Sequence, residues 1–266
     1  MNNVRTVSDT KRSFYTLHTR PINSIYRRVV EELMVEMHLN SVNADFSYNP
    51  IYALGVVTVF ERFMKGYNPQ KDTESIFNAL VKSIEEEPQV YQQDSQKFQT
   101  LAKNLGYQGL IACLAQENYS DKDAELQALL ESISNNSKFK YSRLFAIGIF
   151  SLLECSNPDL VKDEKQLAEV LQKIATGLNI SQDKFSKDLE LYRSNLEKMQ
   201  QTLVVMADIL SADRKKREQR SQSSAISKPE TSNSETSNSE TSISNSSENE
   251  NLDDTVTTPP SSNSGE

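Results

Sequence analysis

VRTVSDTKRSFYTLHTRPINSIYRRVVEELMVEMHLNSVNADFSYNPIYALGVVTVFERFMKGY, residues 4–67, decides the fold class. Behind Thr19-Arg20-Pro21, the residues Ile22, Ile25, Tyr26, Val29, Val30, Leu33 and Met37 recur at three- and four-residue steps, one apolar stripe on a helix. Pro21 suits the first helical position, where its missing N–H loses no partner. The opposite face carries Arg27, Arg28, Glu31, Glu32 and Glu36, with Arg28 and Glu32 spaced so that their side chains meet. Asn49-Pro50 opens a second helix and Lys65-Gly66 closes it.

Working outward, the same punctuation recurs. Ser8 is placed to cap a short helix ending at Leu17, and Asp72 or Thr73 to cap one carrying Ile76, Phe77, Leu80, Val81 and Ile84. Pro88 opens a helix that stops at Gly106; Ser120-Asp121 opens another, and Asn157-Pro158 one that ends at Gly177. No stretch sustains period-2 alternation, and 7 glycines are few for a sheet with many tight turns. The expected fold is all-α. Segments 51–60, 109–115 and 144–153 are apolar on every side, so each must be surrounded; they are the expected buried central helices of a multi-helix body. The longest uncharged run, Phe46 to Phe60, has 15 residues, short of the ~20 that cross a bilayer.

From Ser181 the pattern changes. Phe185, Leu189, Tyr192, Leu196, Met199, Leu203, Met206 and Leu210 alternate four- and three-residue steps, the narrow seam of a coiled coil. The expected organisation is therefore an all-helical globular domain over 1–180, a long amphipathic helix over 181–220 and a disordered tail over 221–266. Arg214, Lys215, Lys216, Arg217 and Arg220 suit the dipole at the end of the long helix. The tail is rich in Ser, Thr, Asn and acids, with too few apolar residues to offset its ordering entropy.

Charge is unevenly placed. The chain sums to −8 and the tail alone to −7, which leaves a body near neutrality with a local +5 in residues 1–30. That balance suits an acidic protein surface or an anionic membrane face and argues against a nucleic-acid partner. Cys113 and Cys155 are isolated within apolar runs and read as small buried hydrophobes.

Catalytic patterns are missing. His18 and His38 are the only histidines, and there is no HExxH, P-loop or GxSxG. Glu36 and His38 stand two apart, on different sides of a helix, and do not share a metal. His38 reads as a surface or hydrogen-bonded residue. Neither catalytic residue, cofactor nor metal is assigned, and the chain reads as a binding protein.

Residues 5–39, RTVSDTKRSFYTLHTRPINSIYRRVVEELMVEMHL, and 48–67, YNPIYALGVVTVFERFMKGY, resemble the thylakoid formation protein family of cyanobacteria and chloroplasts, also called photosystem II biogenesis proteins. The resemblance runs more loosely to about residue 210. It implies an all-helical, soluble protein that associates peripherally with the thylakoid membrane from its cytoplasmic or stromal side. There, the resemblance implies, it supports accumulation of membrane-bound AAA+ metalloprotease complexes that clear damaged photosystem II subunits. A motif beginning almost at Met1 leaves no room for a transit segment, which points to a cyanobacterial form, or a plastid-encoded one, working in the compartment where it is made. The alternative is a structural scaffold for photosystem II assembly intermediates, or a lipid-surface-binding helical protein, without a protease partner.

Two surfaces are candidates for the partner. One is the basic–aromatic stretch, Arg12, Arg20, Arg27 and Arg28 beside Phe14, Tyr15 and Tyr26, the residue types of interface hot spots. The other is the seam from Leu196 to Leu210, above all Leu203 and Met206, which loses roughly 1.5–3 kcal/mol per side chain if left in water. The arginine surface ranks first, the seam having an auxiliary or self-associating role in an otherwise monomeric protein.

Overall fold

A computed structural model of the chain describes residues 5–117 and 123–226. Among the described residues there is no strand. The order is α1 (Val7–Leu17), α2 (Ser24–Ser41), α3 (Pro50–Phe63), α4 (Lys71–Lys82), α5 (Pro88–Leu114), α6 (Ala124–Ser134), α7 (Arg143–Ser156), a short 3-10 turn (Leu160–Lys162), α8 (Glu164–Gly177) and α9 (Gln182–Ile226). The fold is all-α, as its punctuation implies.

α3 and α7 form the centre. Asn49 accepts from the Tyr52 N–H at 2.9 Å and Ser142 from the Phe145 N–H at 3.1 Å, so each helix starts on a side-chain cap. Residues 51–60 and 144–153 are buried throughout, as helices without a polar face must be. The two run in the same direction: Thr58 donates to Ser151, 93 positions later, at 3.1 Å, and Arg62 pairs with Glu154. Glycine sets their separation. A Cβ on Gly55 would stand 1.8 Å from the Leu144 carbonyl oxygen, and one on Gly148 1.9 Å from that of Ile51. Each glycine thus seats on the other helix one turn before that helix's own glycine.

This reciprocity reflects an internal repeat. The run NPIYALGVVTVFE (49–61) matches SRLFAIGIFSLLE (142–154) position by position, with Ala, Gly and Glu identical and the rest mostly exchanged for like residues. The match extends outward through burial. Leu33, Met37 and Asn40 of α2 are buried, as are Leu126, Leu130 and Ile133 at the same register in α6. With a one-residue shift, Ile76, Phe77, Leu80 and Val81 of α4 correspond to Val170, Leu171, Ile174 and Ala175 of α8. Each of those helices is followed by a non-glycine residue in the left-handed region, Glu85 (φ 67°) and Asn179 (φ 54°). Tyr91 and Phe98 of α5 then correspond to Phe185 and Tyr192 of α9, all four buried. Helices α2–α5 and α6–α9 are two versions of one unit, with α1 packed on α2 and α4 of the first.

The two versions part at one position. α5 breaks at Gly106 (φ 64°, ψ 176°), a backbone state essentially reserved for glycine, and residues 107–114 continue as a separate helical stretch whose Leu110 and Leu114 are buried. In α9 the corresponding residue is Gln200, and the helix runs on unbroken. It passes the boundary expected at residue 220 and reaches Ile226; the remainder of the expected tail, 227–266, lies outside the described residues.

Several caps differ from the sequence reading. α1 starts on Thr6 rather than Ser8: Thr6 accepts from the Asp9 N–H while Asp9 reaches back to the Thr6 N–H, a closed capping box. α2 starts on Asn23, whose side chain accepts from the Ile25 N–H at 3.2 Å, so Pro21 lies before the helix and not at its first position. α4 has no side-chain cap, and Asp72 is instead buried in its first turn. α6 starts on Asp123, the Ser120-Asp121 pair falling outside the described residues. Asn157 caps only the 3-10 turn, and α8 starts afresh on Asp163.

The chain divides into a unit from Met1 to Ala212 and a second from Asp213 onward. The described part of the second is the end of α9, where Arg217 pairs with Asp213 at 3.2 Å and Arg214 with Glu218 at 3.0 Å.

Candidate functional site: a groove between α2 and α9

The arginine–aromatic interleaving separates onto two faces once the helices form. Phe14 is fully buried, and Tyr26, 6% exposed, packs edge-to-face on Tyr67 at 5.1 Å with its hydroxyl 3.4 Å from the Lys65 carbonyl. Tyr26 is therefore a core residue and lies off any exposed surface. Tyr15 is half-buried and donates to Glu31 at 2.6 Å; burial and that bond push its pKa up to about 12. Arg12 is exposed on α1. The Arg20 guanidinium lies 2.7 Å from Asp72 Oδ1, a contact of charges rather than a well-directed hydrogen bond, and it neutralises a buried carboxylate. Arg20 thus has a structural task.

Arg27 and Arg28 remain, on the outer face of α2. Arg28 donates from Nε to Glu32 at 2.9 Å. Beside them the first turns of α9 pack down through Phe185, Leu189 and Tyr192, the last touching the rings of Phe63 and Phe150. Between α2 and α9 lies a groove of about 470 Å³. Val59, Phe63, Leu144 and Ile147 make its floor; Arg28, Val29 and Glu32 stand on one side and Asn195, Lys198, Met199 and Thr202 on the other. A shallower trough of about 870 Å³ runs beside it over α2, sharing Arg28, Glu32, Glu36 and Arg143 with it and passing Arg27, Val35 and Leu39. The two surfaces that the sequence suggested separately thus meet: Arg28 faces Met199 and Thr202 across one groove. Arg12, Leu203 and Met206 do not line it. Leu203 packs on the core, Met206 is half-buried and Leu210 is 67% exposed.

Ion pairs hold the walls. The Arg143 guanidinium, from the first turn of α7, bonds Glu36 on α2. Burial raises the Glu36 pKa above its ordinary value, the Arg143 charge opposes that rise, and Asp188 of α9 adds to it. The Tyr141 hydroxyl donates to Asp188 at 2.9 Å, and the Lys184 ammonium sits 4.8 Å above the Tyr141 ring. Glu31 accepts from Tyr15 and Lys11, which lowers its pKa. Every carboxylate lining the groove and trough is therefore engaged, whereas Arg27 and Lys198 make no ion pair with a described carboxylate. Sequence reasoning missed Lys198, Arg143 and the floor, because they come from helices distant in the chain.

The histidines are structural. His38 Nδ1 lies 2.8 Å from the Thr10 hydroxyl and His18 Nδ1 3.0 Å from that of Ser75, and burial lowers both pKa values. Among the described residues no group of His, Cys, Asp and Glu is placed to hold a metal ion, and no helix is long and apolar enough to cross a membrane.

The family model of the thylakoid formation proteins matches residues 6–221. Protein Thf1 of Nostoc punctiforme is 71% identical over 224 residues, 84% of this chain and 95% of that protein. Protein Thf1 of Gloeothece citriformis is 56% identical over 221 residues, 82% of this chain and 97% of that protein. A solved structure of Psb29 is similar with a TM-score of 0.69 at 41% identity, covering 80% of this chain and 98% of the other.

Proposed function

The chain belongs to the thylakoid formation protein family, and from that premise we propose that it is a non-catalytic accessory protein of thylakoid biogenesis and photosystem II assembly and repair. In this reading it supports the accumulation of membrane-bound AAA+ metalloprotease complexes, working as a monomer on the cytoplasmic face of cyanobacterial thylakoids. The observation that carries the reading is the family match across residues 6–221, which takes in α1 to α8, most of α9 and the groove. The groove supports a binding role: it is lined by apolar side chains and engaged ion pairs, and none of its carboxylates stands as a paired acid and base.

The reading is tested by deleting the gene, following AAA+ protease subunits by immunoblot, and purifying the tagged protein from solubilised thylakoids. Loss of protease on deletion, with protease in the purified fraction, is the expected result. Unchanged protease levels with photosystem subunits in the fraction would make it a scaffold instead, and metal- or nucleotide-dependent turnover by the pure chain would make it an enzyme.

A further inference from the structure

We infer that the groove between α2 and α9 receives one acidic amphipathic helix of a partner protein; this surface rests on the accessory-protein reading above. Charge complementarity is the first ground. The rim carboxylates are already paired, Glu32 to Arg28 and Glu36 to Arg143. Arg27 and Lys198 make no ion pair with a described carboxylate, the Arg27 charge acting on Glu31 only at longer range. A basic segment would compete with cations already paired to those carboxylates, whereas an acidic one offers a close partner to Arg27 and Lys198.

Shape is the second ground. The groove and its trough follow α2 from Ser24 to Asn40, about 24 Å at 1.5 Å per residue, which matches a helix of four to five turns. In the trough Val35 (37% exposed) and Leu39 (56%) add apolar surface beside the groove, so anchors at i, i+3, i+4 and i+7 of a docked helix find cover. The molecule contains a precedent. In the first half α5 packs on both α3 and α7, and its stretch after Gly106 buries Leu110 and Leu114; in the second half α9 runs straight through the corresponding position, and among the described residues no such stretch follows.

The test places a photoreactive p-benzoylphenylalanine at Thr202, at Leu39, or at exposed Glu169 of α8 as a control. Each purified full-length protein is irradiated with isolated thylakoid membranes, and the cross-linked peptide is sequenced. Adducts from Thr202 and Leu39, absent from Glu169, should map to one segment of net negative charge with apolar residues at helical spacing. The double variant Arg27→Glu with Lys198→Glu should lower their yield by roughly tenfold while leaving the melting temperature unchanged. Adducts with lipid, with a basic or non-amphipathic segment, from Glu169 alone, or from none of the three would overturn the inference, as would an unchanged yield in the double variant. Failure here is separable from failure of the functional reading. Protease that co-purifies equally with wild type and double variant defeats the groove alone; a groove adduct on an unrelated protein, with protease levels unaffected by deletion, defeats the functional reading alone.

Discussion

Helices α2–α5 and α6–α9 share a plan, and they differ beyond the buried face of the last helix in each. In the first half Gly106 lets the chain turn, and Leu110 and Leu114 disappear into the centre. In the second half Gln200 keeps the helix straight, and Val204, Val205, Ile209 and Leu210 stay 56–67% exposed. One backbone position thus decides whether an apolar stretch completes its own core or leaves a groove beside it. The centre tolerates no such latitude, because α3 and α7 touch backbone to backbone at Gly55 and Gly148.

The largest effect should come from breaking that contact. In Gly148→Ala the added methyl would stand 1.9 Å from the Ile51 carbonyl oxygen, and no side-chain rotation relieves a clash with backbone. The helices must separate, at a cost of about 3 kcal/mol or more. Urea denaturation of the pure protein measures this directly. A loss below about 1 kcal/mol would show that the centre is as pliable as the groove, and the contrast between tight and open regions would collapse.

Gly106→Ala acts differently. Apart from the adjoining backbone no atom lies within 4 Å of the new methyl, so packing is not disturbed; only the backbone state is. Holding alanine there costs about 1–3 kcal/mol. The variant is expected to unfold at lower urea than wild type yet above Gly148→Ala, with faster hydrogen exchange confined to residues 107–114. Uniform loss of protection across α3 and α7 would mean that the break and the centre form a single cooperative element.

Legibility in the sequence divides along the same line. The central helices were readable because residues 51–60 and 144–153 have no polar side to offer water. The stop at Gly106 was readable because few other residues take that backbone state. Caps failed where two acceptors compete within a few residues: Thr6 displaces Ser8 because Asp9 closes its box. The repeat was hidden by conservative exchange, Ile for Leu, Tyr for Phe and Thr for Ser, which preserves packing and erases identity. Tyr26 misled because an aromatic beside arginines has the same composition in a core as at an interface; only the neighbouring Tyr67 distinguishes them. The groove was unreadable for a simpler reason, since its sides and floor come from α2, α3, α7 and α9.

The smallest expected effect lies on the open side and concerns pH. Glu36 faces Arg143 on α7 and Asp188 on α9, the latter bonded to Tyr141, and burial holds its folded pKa above the ordinary 4.5. A carboxyl with a raised folded pKa binds its proton more tightly in the native state. Its contribution to stability is therefore greatest below pH 4.5 and is lost as pH rises through the folded value. Glu36→Gln removes that titration and leaves Arg143 with a neutral acceptor. The unfolding free energy of wild type minus that of the variant should then become more favourable to wild type as pH falls from 7 toward 4.5, by less than about 1 kcal/mol at this partly solvated pair. Comparing only the difference removes the other carboxylates, including Glu31 and Asp9, whose lowered values act in the opposite sense. A difference that shifts toward the variant on acidification would mean that Arg143 outweighs burial at Glu36, making this side of the molecule a locked joint rather than an open one.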